Sequence, residues 1–151
     1  PAAPLDCCGG GTLPPALPCL WLSAELSSKV ILYFHANGDD LGTVYRMLLT
    51  MNKELQVSVL APEYPGYGLL SQLRACEEGC LSVAEAALRY LVEEVRVDPS
   101  DVILLGRSLG SALALYLASK FKVGGVILLS AFTSVQDLAQ HHVGSRGASI
   151  T

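Results

Sequence analysis

The stretch Val102-Ile-Leu-Leu-Gly-Arg-Ser-Leu-Gly110 decides the fold. Its first four residues form an apolar run that is too short for a helix and is typical of a buried strand, and residues 109–121 predict an apolar helix. Gly106 and Gly110 stand two residues before and after Ser108, where a Cβ atom would collide with the strand or the helix. The pattern therefore predicts a sharp turn that presents the Ser108 hydroxyl above the carboxyl end of a sheet. The alternative is a glycine-rich turn in which the serine caps the helix.

Further strands and helices alternate along the chain. The predicted strands are residues 29–34, 56–61 and 125–129, and the predicted helices are residues 41–52 and 82–95. Ser82-Val-Ala-Glu85 has the pattern of a capping box and predicts the start of the second of these helices. Strands that alternate with helices in this way are typical of an α/β domain with a mainly parallel sheet.

Composition divides the chain into three parts. Residues 1–28 contain Pro, Gly and Cys and predict an irregular lead-in, residues 29–135 carry the α/β core, and residues 136–151 are a polar tail that we expect to be truncated. Hydrophobic residues make up 51% of the chain and charged residues 16%, so the chain is too apolar to be disordered. With 10 basic and 14 acidic residues the net charge is -4, which offers no basic surface to nucleic acid.

The 5 cysteines are an odd number in a core-rich sequence, which favours a reducing, cytoplasmic compartment over a disulfide scaffold. Cys76 and Cys80 lack a second ligand pair, so we expect no metal site. Cys7 and Cys8 are candidates for S-acylation, which would associate the protein with a membrane; the alternative is inert thiols. No phosphate-binding loop is present, and we expect no cofactor.

Four motifs follow one another in a specific order. They are Tyr-Phe-His-Ala-Asn-Gly at 33–38, Glu-Tyr-Pro-Gly-Tyr-Gly at 63–68, Asp-Pro-Ser at 98–100 and Gly-Arg-Ser-Leu-Gly-Ser at 106–111. This order resembles the α/β-hydrolases of the serine-aminopeptidase-type group, in particular the α/β-hydrolase-domain proteins that include protein depalmitoylases. The resemblance covers about residues 30–135. It implies a partial α/β-hydrolase fold, a mainly parallel sheet with flanking helices, with the C-terminal strands missing.

The resemblance also implies roles for individual residues. Ser108 would be the nucleophile, and the backbone N–H groups of Leu109 and Asn37 would donate hydrogen bonds to an oxyanion. Tyr64 and Tyr67 would line the substrate pocket; the alternative for this segment is ordinary turn chemistry with a packed tyrosine. No metal takes part in such a site.

A general base and its carboxylate partner are not evident in the sequence. In the α/β-hydrolases they follow the nucleophile in the order Ser, Asp or Glu, His. Asp137, His141 and His142 come one strand too early for these roles and are expected to be solvated residues on a helix. His35 would shape its loop rather than act as the base. Ala36 stands where the family usually has Gly.

Two functions remain open at this point. The first is a serine hydrolase that cleaves an ester or thioester, of a small molecule or of a protein-bound acyl group, through an acyl-enzyme on Ser108, with little or no activity in a fragment that lacks acid and base. The second is a non-catalytic binding module with the same fold. A nucleotide-binding protein is disfavoured, because Gly66-Tyr-Gly68 lacks the third glycine of the dinucleotide fingerprint.

Overall fold

A five-stranded sheet with helices on both faces forms the centre of the protein in the computed structural model, which describes residues 6–7, 11–12 and 16–131. The strands are β1 (Asp6–Cys7), β2 (Gly11–Thr12), β3 (Cys19–Leu22), β4 (Val30–Phe34), β5 (Ser58–Pro62), β6 (Val102–Arg107) and β7 (Gly125–Leu129). The helices are α1 (Leu41–Leu55), α2 (Glu77–Arg89) and α3 (Leu109–Lys120), with a π-helical turn at Tyr90–Glu94 and 3₁₀ turns at Gly68–Leu70 and Pro99–Asp101.

The order of strands in the sheet is β3-β5-β4-β6-β7. The pairs β5–β4, β4–β6 and β6–β7 are parallel. Only β3 runs antiparallel to its neighbour, β5. β1 and β2 pair with each other in a separate antiparallel ribbon. The α/β class with a mainly parallel sheet and flanking helices is therefore confirmed, and β4 lies at the centre of the sheet.

Two apolar cores lie on opposite faces of the sheet and explain the uninterrupted apolar strands. Every residue of β4 and β5 is buried. Ile31 and Tyr33 of β4 face the core that α1 completes with Val44 and Leu48, whereas the alternate residues of β4 face the core that α2 and α3 complete. Because side chains alternate between the two faces of a strand, a strand covered on both sides is expected to be largely apolar.

β7 departs from this pattern. Val126 is 39% and Ile127 44% exposed, although the strand is as apolar as β4. Among the described residues β7 pairs only with β6, so one of its edges is open there. The exposed side chains of β7 agree with its single pairing neighbour, because an apolar strand is buried only where other elements cover it.

The lead-in predicted as irregular over residues 1–28 contains a strand of the main sheet. Cys19–Leu22 forms β3, whose four residues pair with residues 59–62 of β5. That part of the prediction is wrong, because a four-residue edge strand takes its hydrogen bonds from a distant partner and carries little local signal. The sheet consequently begins before residue 29.

Helix α2 begins at Glu77, with Cys76 at the N-cap, five residues before the predicted start. Ser82 lies inside the helix, so the predicted capping box is wrong. Glu85 is instead held by α3: its Oε1 accepts a hydrogen bond from the Tyr116 hydroxyl at 2.6 Å, and this bond is the main reason that the pKa of Glu85 lies below its usual value. A capping-box pattern can occur within a helix, and only the tertiary partner shows which role the glutamate takes.

The packing of α1 gives a direct test of this architecture. Leu48 is fully buried against the sheet, whereas Leu55 on the same helix is 59% exposed. Leu48→Ala should lower the free energy of unfolding by about 2–5 kcal/mol, because it leaves a cavity between α1 and β4. Leu55→Ala should change it by less than about 0.5 kcal/mol. Urea unfolding of the full-length protein measures both, and equal effects would contradict the described packing.

Candidate functional site

Ser108 lies in a strained turn between β6 and α3. Its φ of 50° and ψ of -113° place it in a backbone region that residues other than glycine rarely adopt. The turn is held on both sides: the Ser108 N–H donates to the Leu129 carbonyl oxygen at 2.8 Å, and the Ser108 carbonyl accepts from the Ser111 N–H at 2.9 Å. The Ser108 side chain makes no capping hydrogen bond to the helix, which disfavours the reading of this serine as a helix cap.

The two glycines around Ser108 allow a close approach of three elements. A Cβ atom on Gly106 would overlap the Gly110 carbonyl group, and a Cβ atom on Gly110 would overlap the carbonyl group of Phe34 on β4. The steric reason for glycine at both positions, predicted from the sequence, is thus confirmed. Any larger residue would push α3 away from the sheet and relax the turn that holds Ser108.

The amino end of α3 supplies one set of hydrogen-bond donors beside Ser108. Leu109 is the first residue of the helix and is half-buried, and the first N–H groups of an α-helix have no partner within the helix. The helix dipole adds a positive partial charge at the same end. A negative charge that forms on an oxygen of an acyl group bonded to Ser108 Oγ would therefore be stabilised from this side.

The β4–α1 loop, residues 35–40, lies at the carboxyl end of the neighbouring strand. Phe34 pairs with Gly106 across β4 and β6, so the loop and the Ser108 turn leave the sheet side by side. Asn37 and Gly38 are exposed, and only Gly38 of the loop has a left-handed φ, of 87°. Ala36 is buried and needs no left-handed backbone, so the alanine at the family's usual glycine position causes no strain.

An ion pair joins the loop to the Ser108 turn directly. Arg107, the residue before Ser108, donates from its guanidinium to Asp39 at 3.1 Å. Both side chains are partly exposed, so the pair contributes at most about 1 kcal/mol to stability. Sequence reasoning missed this contact, because the variable positions of Gly-x-Ser-x-Gly carry no signal for a partner that lies 68 residues earlier.

His35 is completely buried under the same loop. Its Nε2 lies 3.1 Å from Oε1 of Glu63, which is also buried, and its Nδ1 lies 3.1 Å from the Ala36 carbonyl oxygen. A histidine in this position has no contact with solvent. The expectation that His35 shapes its loop agrees with this geometry, whereas Glu63 was not singled out as a functional residue by the sequence.

The two tyrosines predicted to line a substrate pocket have different environments. Tyr64 is completely buried: its ring stacks on His35 with 3.9 Å between centroids, and its hydroxyl donates to the His35 carbonyl oxygen. Burial raises the pKa of Tyr64 well above its ordinary value. Tyr64 is thus a packed interior residue, and its side chain has no exposed surface through which it could contact a substrate. Tyr67 is half-buried and donates from its hydroxyl to the Asn37 side-chain oxygen at 2.6 Å.

Several other predictions fall on residues that the structure does not describe. Asp137, His141 and His142 lie outside the described residues, and so do the side chains of Cys7 and Cys8. Within the described part of the chain no group of three or more His, Cys, Asp or Glu side chains could hold a metal ion. No helix among the described residues is both long and apolar enough to cross a membrane.

A family model and related sequences both indicate that this chain is an alpha/beta hydrolase. A family model described as "Alpha/beta hydrolase family" matches residues 31–149. The chain is 32% identical over 108 residues to a putative alpha/beta hydrolase, L404, of Acanthamoeba polyphaga mimivirus, covering 71% of this chain and 41% of that protein. It is 29% identical over 119 residues to human alpha/beta hydrolase domain-containing protein 17C, covering 78% of this chain and 36% of that protein.

Solved structures share the same architecture. An alpha-beta hydrolase from Vibrio vulnificus is similar with a TM-score of 0.68 at 26% identity, covering 80% of this chain and 45% of that one. An esterase/lipase from an uncultured bacterium is similar with a TM-score of 0.63 at 18% identity, covering 80% of this chain and 43% of that one. The chain thus spans about two fifths of the length of these curated relatives. With its Ser108 turn, its sheet order and this family match, the chain belongs to the alpha/beta hydrolase family.

Proposed function

We propose that the full-length protein containing this chain is a serine hydrolase that cleaves an ester or thioester through an acyl-enzyme on Ser108. The observation that carries the proposal is the backbone of Ser108, held at φ 50° between β6 and α3 with a side chain free of capping bonds. A serine with a strained backbone in the turn between a parallel strand and the helix that follows it is typical of a nucleophile in this family. Membership in the alpha/beta hydrolase family supports hydrolase activity in general.

The proposed reaction uses the groups that surround Ser108. Its Oγ attacks the carbonyl carbon of the substrate, and the carbonyl oxygen becomes an oxyanion that accepts hydrogen bonds from the N–H groups of Leu109 and Asn37. A general base takes the proton of the Ser108 hydroxyl and gives it to the departing alcohol or thiol. Water then hydrolyses the acyl-enzyme: its oxygen joins the released acid, and one of its protons returns to Ser108. Among residues 16–131 the one histidine, His35, is buried against Glu63, so the base would come from the rest of the full-length protein.

The proposed substrate is an acyl ester or thioester, of a small molecule or of a protein-bound acyl group. The basis for this class is the motif order shared with the α/β-hydrolase-domain proteins that include protein depalmitoylases. S-acylation of Cys7 or Cys8 would bring such an enzyme to a membrane surface, where acylated proteins lie. Nucleic acid is not a proposed partner, since the net charge of the chain is -4.

Replacement of the nucleophile tests the proposal. In the full-length protein, a fluorophosphonate probe should label the wild type, and Ser108→Ala should abolish labelling and lower turnover of p-nitrophenyl butanoate by at least about 1,000-fold. The matched control is Ser119→Ala, which removes an exposed serine of the same helix, α3, and should leave both readouts unchanged. Peptide mass spectrometry locates the label. A full-length protein that folds but is not labelled would support the non-catalytic binding module instead.

Replacement of Asn37 tests the proposed oxyanion donor. Asn37→Pro removes the backbone N–H and should lower turnover by about 100- to 1,000-fold, because one donor to the oxyanion is lost. Asn37→Ala keeps that N–H while it removes the side-chain contact with Tyr67, so its turnover should stay much closer to that of the wild type. Asn37 is exposed, and circular dichroism checks that both variants fold. Equal turnover of the two variants would contradict the role of the Asn37 N–H.

A further inference from the structure

Glu63 connects the two ends of the loop that carries Asn37. Its Oε1 lies 3.1 Å from Nε2 of His35 at the start of the loop, and its Oε2 accepts a hydrogen bond of 3.3 Å from the Leu41 N–H, the first residue of α1. The glutamate itself follows β5, which pairs in parallel with β4. One carboxylate therefore holds the residues on both sides of the 36–40 segment against a rigid strand end.

The hydrogen-bond pattern around His35 determines how many protons the pair carries. The Ala36 carbonyl oxygen can only accept, so the hydrogen bond at Nδ1 of His35 requires a proton on Nδ1. A hydrogen bond between Nε2 and Glu63 requires one further proton, on the nitrogen or on the oxygen. With that proton the pair is neutral as a unit. A neutral pair can be fully buried without the high cost of removing a net charge from water.

The surroundings leave Glu63 little freedom. A Cβ atom on Gly68, which has a left-handed φ of 39°, would overlap the Glu63 carboxylate, so the chain closes over it at that point. The Tyr64 ring stacks on His35 and covers the pair from another side. The exposed part of the loop has one further contact, a hydrogen bond from the Tyr67 hydroxyl to the Asn37 side chain.

We propose that Glu63 is a positioning residue that holds the backbone N–H of Asn37 in the orientation needed to donate a hydrogen bond to the oxyanion. This inference rests on the proposed function, because the Asn37 N–H has a catalytic role only if Ser108 forms a tetrahedral intermediate. Glu63 itself touches no substrate and transfers no proton in the reaction. Its effect is transmitted through His35 and Leu41, whose backbones bound the loop.

Two substitutions separate the geometry of Glu63 from its charge. Glu63→Gln keeps the length of the side chain: the amide oxygen can accept from the Leu41 N–H while the amide nitrogen donates to Nε2 of a neutral His35. Glu63→Asp keeps the charge but shortens the side chain, so that one carboxylate can no longer reach both partners. A positioning role requires the glutamine variant to resemble the wild type and the aspartate variant to be impaired, whereas a role in proton transfer requires the reverse.

The experiment compares turnover per labelled site in the full-length protein. Fluorophosphonate labelling counts active sites, and p-nitrophenyl butanoate hydrolysis gives kcat and KM. We expect Glu63→Asp to lower kcat by about 10- to 100-fold with KM within about threefold of the wild type, and Glu63→Gln to keep both within about threefold, because an oxyanion donor acts in the transition state. A purely structural role would instead lower the fraction of labelled protein and leave kcat per labelled site unchanged. That result, or a glutamine variant as impaired as the aspartate variant, would overturn the proposal.

A second measurement does not depend on catalysis. In ¹⁵N-labelled full-length protein, the amide signals of Asn37 and Gly38 should shift or broaden in Glu63→Asp and stay in place in Glu63→Gln. If the wild type shows no labelling of Ser108, the proposed function fails, while these signals still show whether Glu63 fixes the loop. Signals that do not move in either variant would overturn the positioning role, whatever the activity.

Discussion

The close contact between Phe34 and Gly110 is the constraint on which the candidate site depends. α3 packs so closely behind β4 that even one methyl group on Gly110 would overlap the Phe34 carbonyl group. Because Phe34 also pairs with Gly106, the strand, the Ser108 turn and the helix meet at one point. The φ of 50° at Ser108 is tolerated because packing on both faces of the sheet determines where β6 ends and α3 begins.

The loop beside this point is stabilised by a different set of forces. Apolar packing forms the two cores, but residues 35–40 depend on polar contacts: a buried neutral pair of His35 and Glu63, a ring stacked on His35, and a surface ion pair between Asp39 and Arg107. A buried pair of this kind is costly to break and contributes little net stability when intact. The pair favours a single arrangement of the loop, which the proposed oxyanion site would require.

Much of the fold could be predicted from local sequence, and the exceptions share one physical cause. The central strands, the three helices and the glycine pattern around Ser108 follow from apolar runs and steric demands within short segments. The strand Cys19–Leu22, the start of α2 at Glu77 and the exposure of β7 depend on partners far away in the chain. In the site, Ser108 and the Asn37 loop could be located by motif, whereas Glu63 and Arg107 acquire their roles only from contacts across the sheet.

The sequence by itself determined the family, the α/β architecture and the one serine whose turn demands glycine on both sides. These features are encoded locally, in the period of apolar residues and in the absence of Cβ atoms at Gly106 and Gly110. Only the tertiary structure decided that Tyr64 is fully buried and that Glu63 bridges His35 and Leu41. Parallel pairing of β4 and β5 brings His35 and Glu63, which are 28 positions apart in the chain, into hydrogen-bond contact. The local sequence around either residue does not predict this contact.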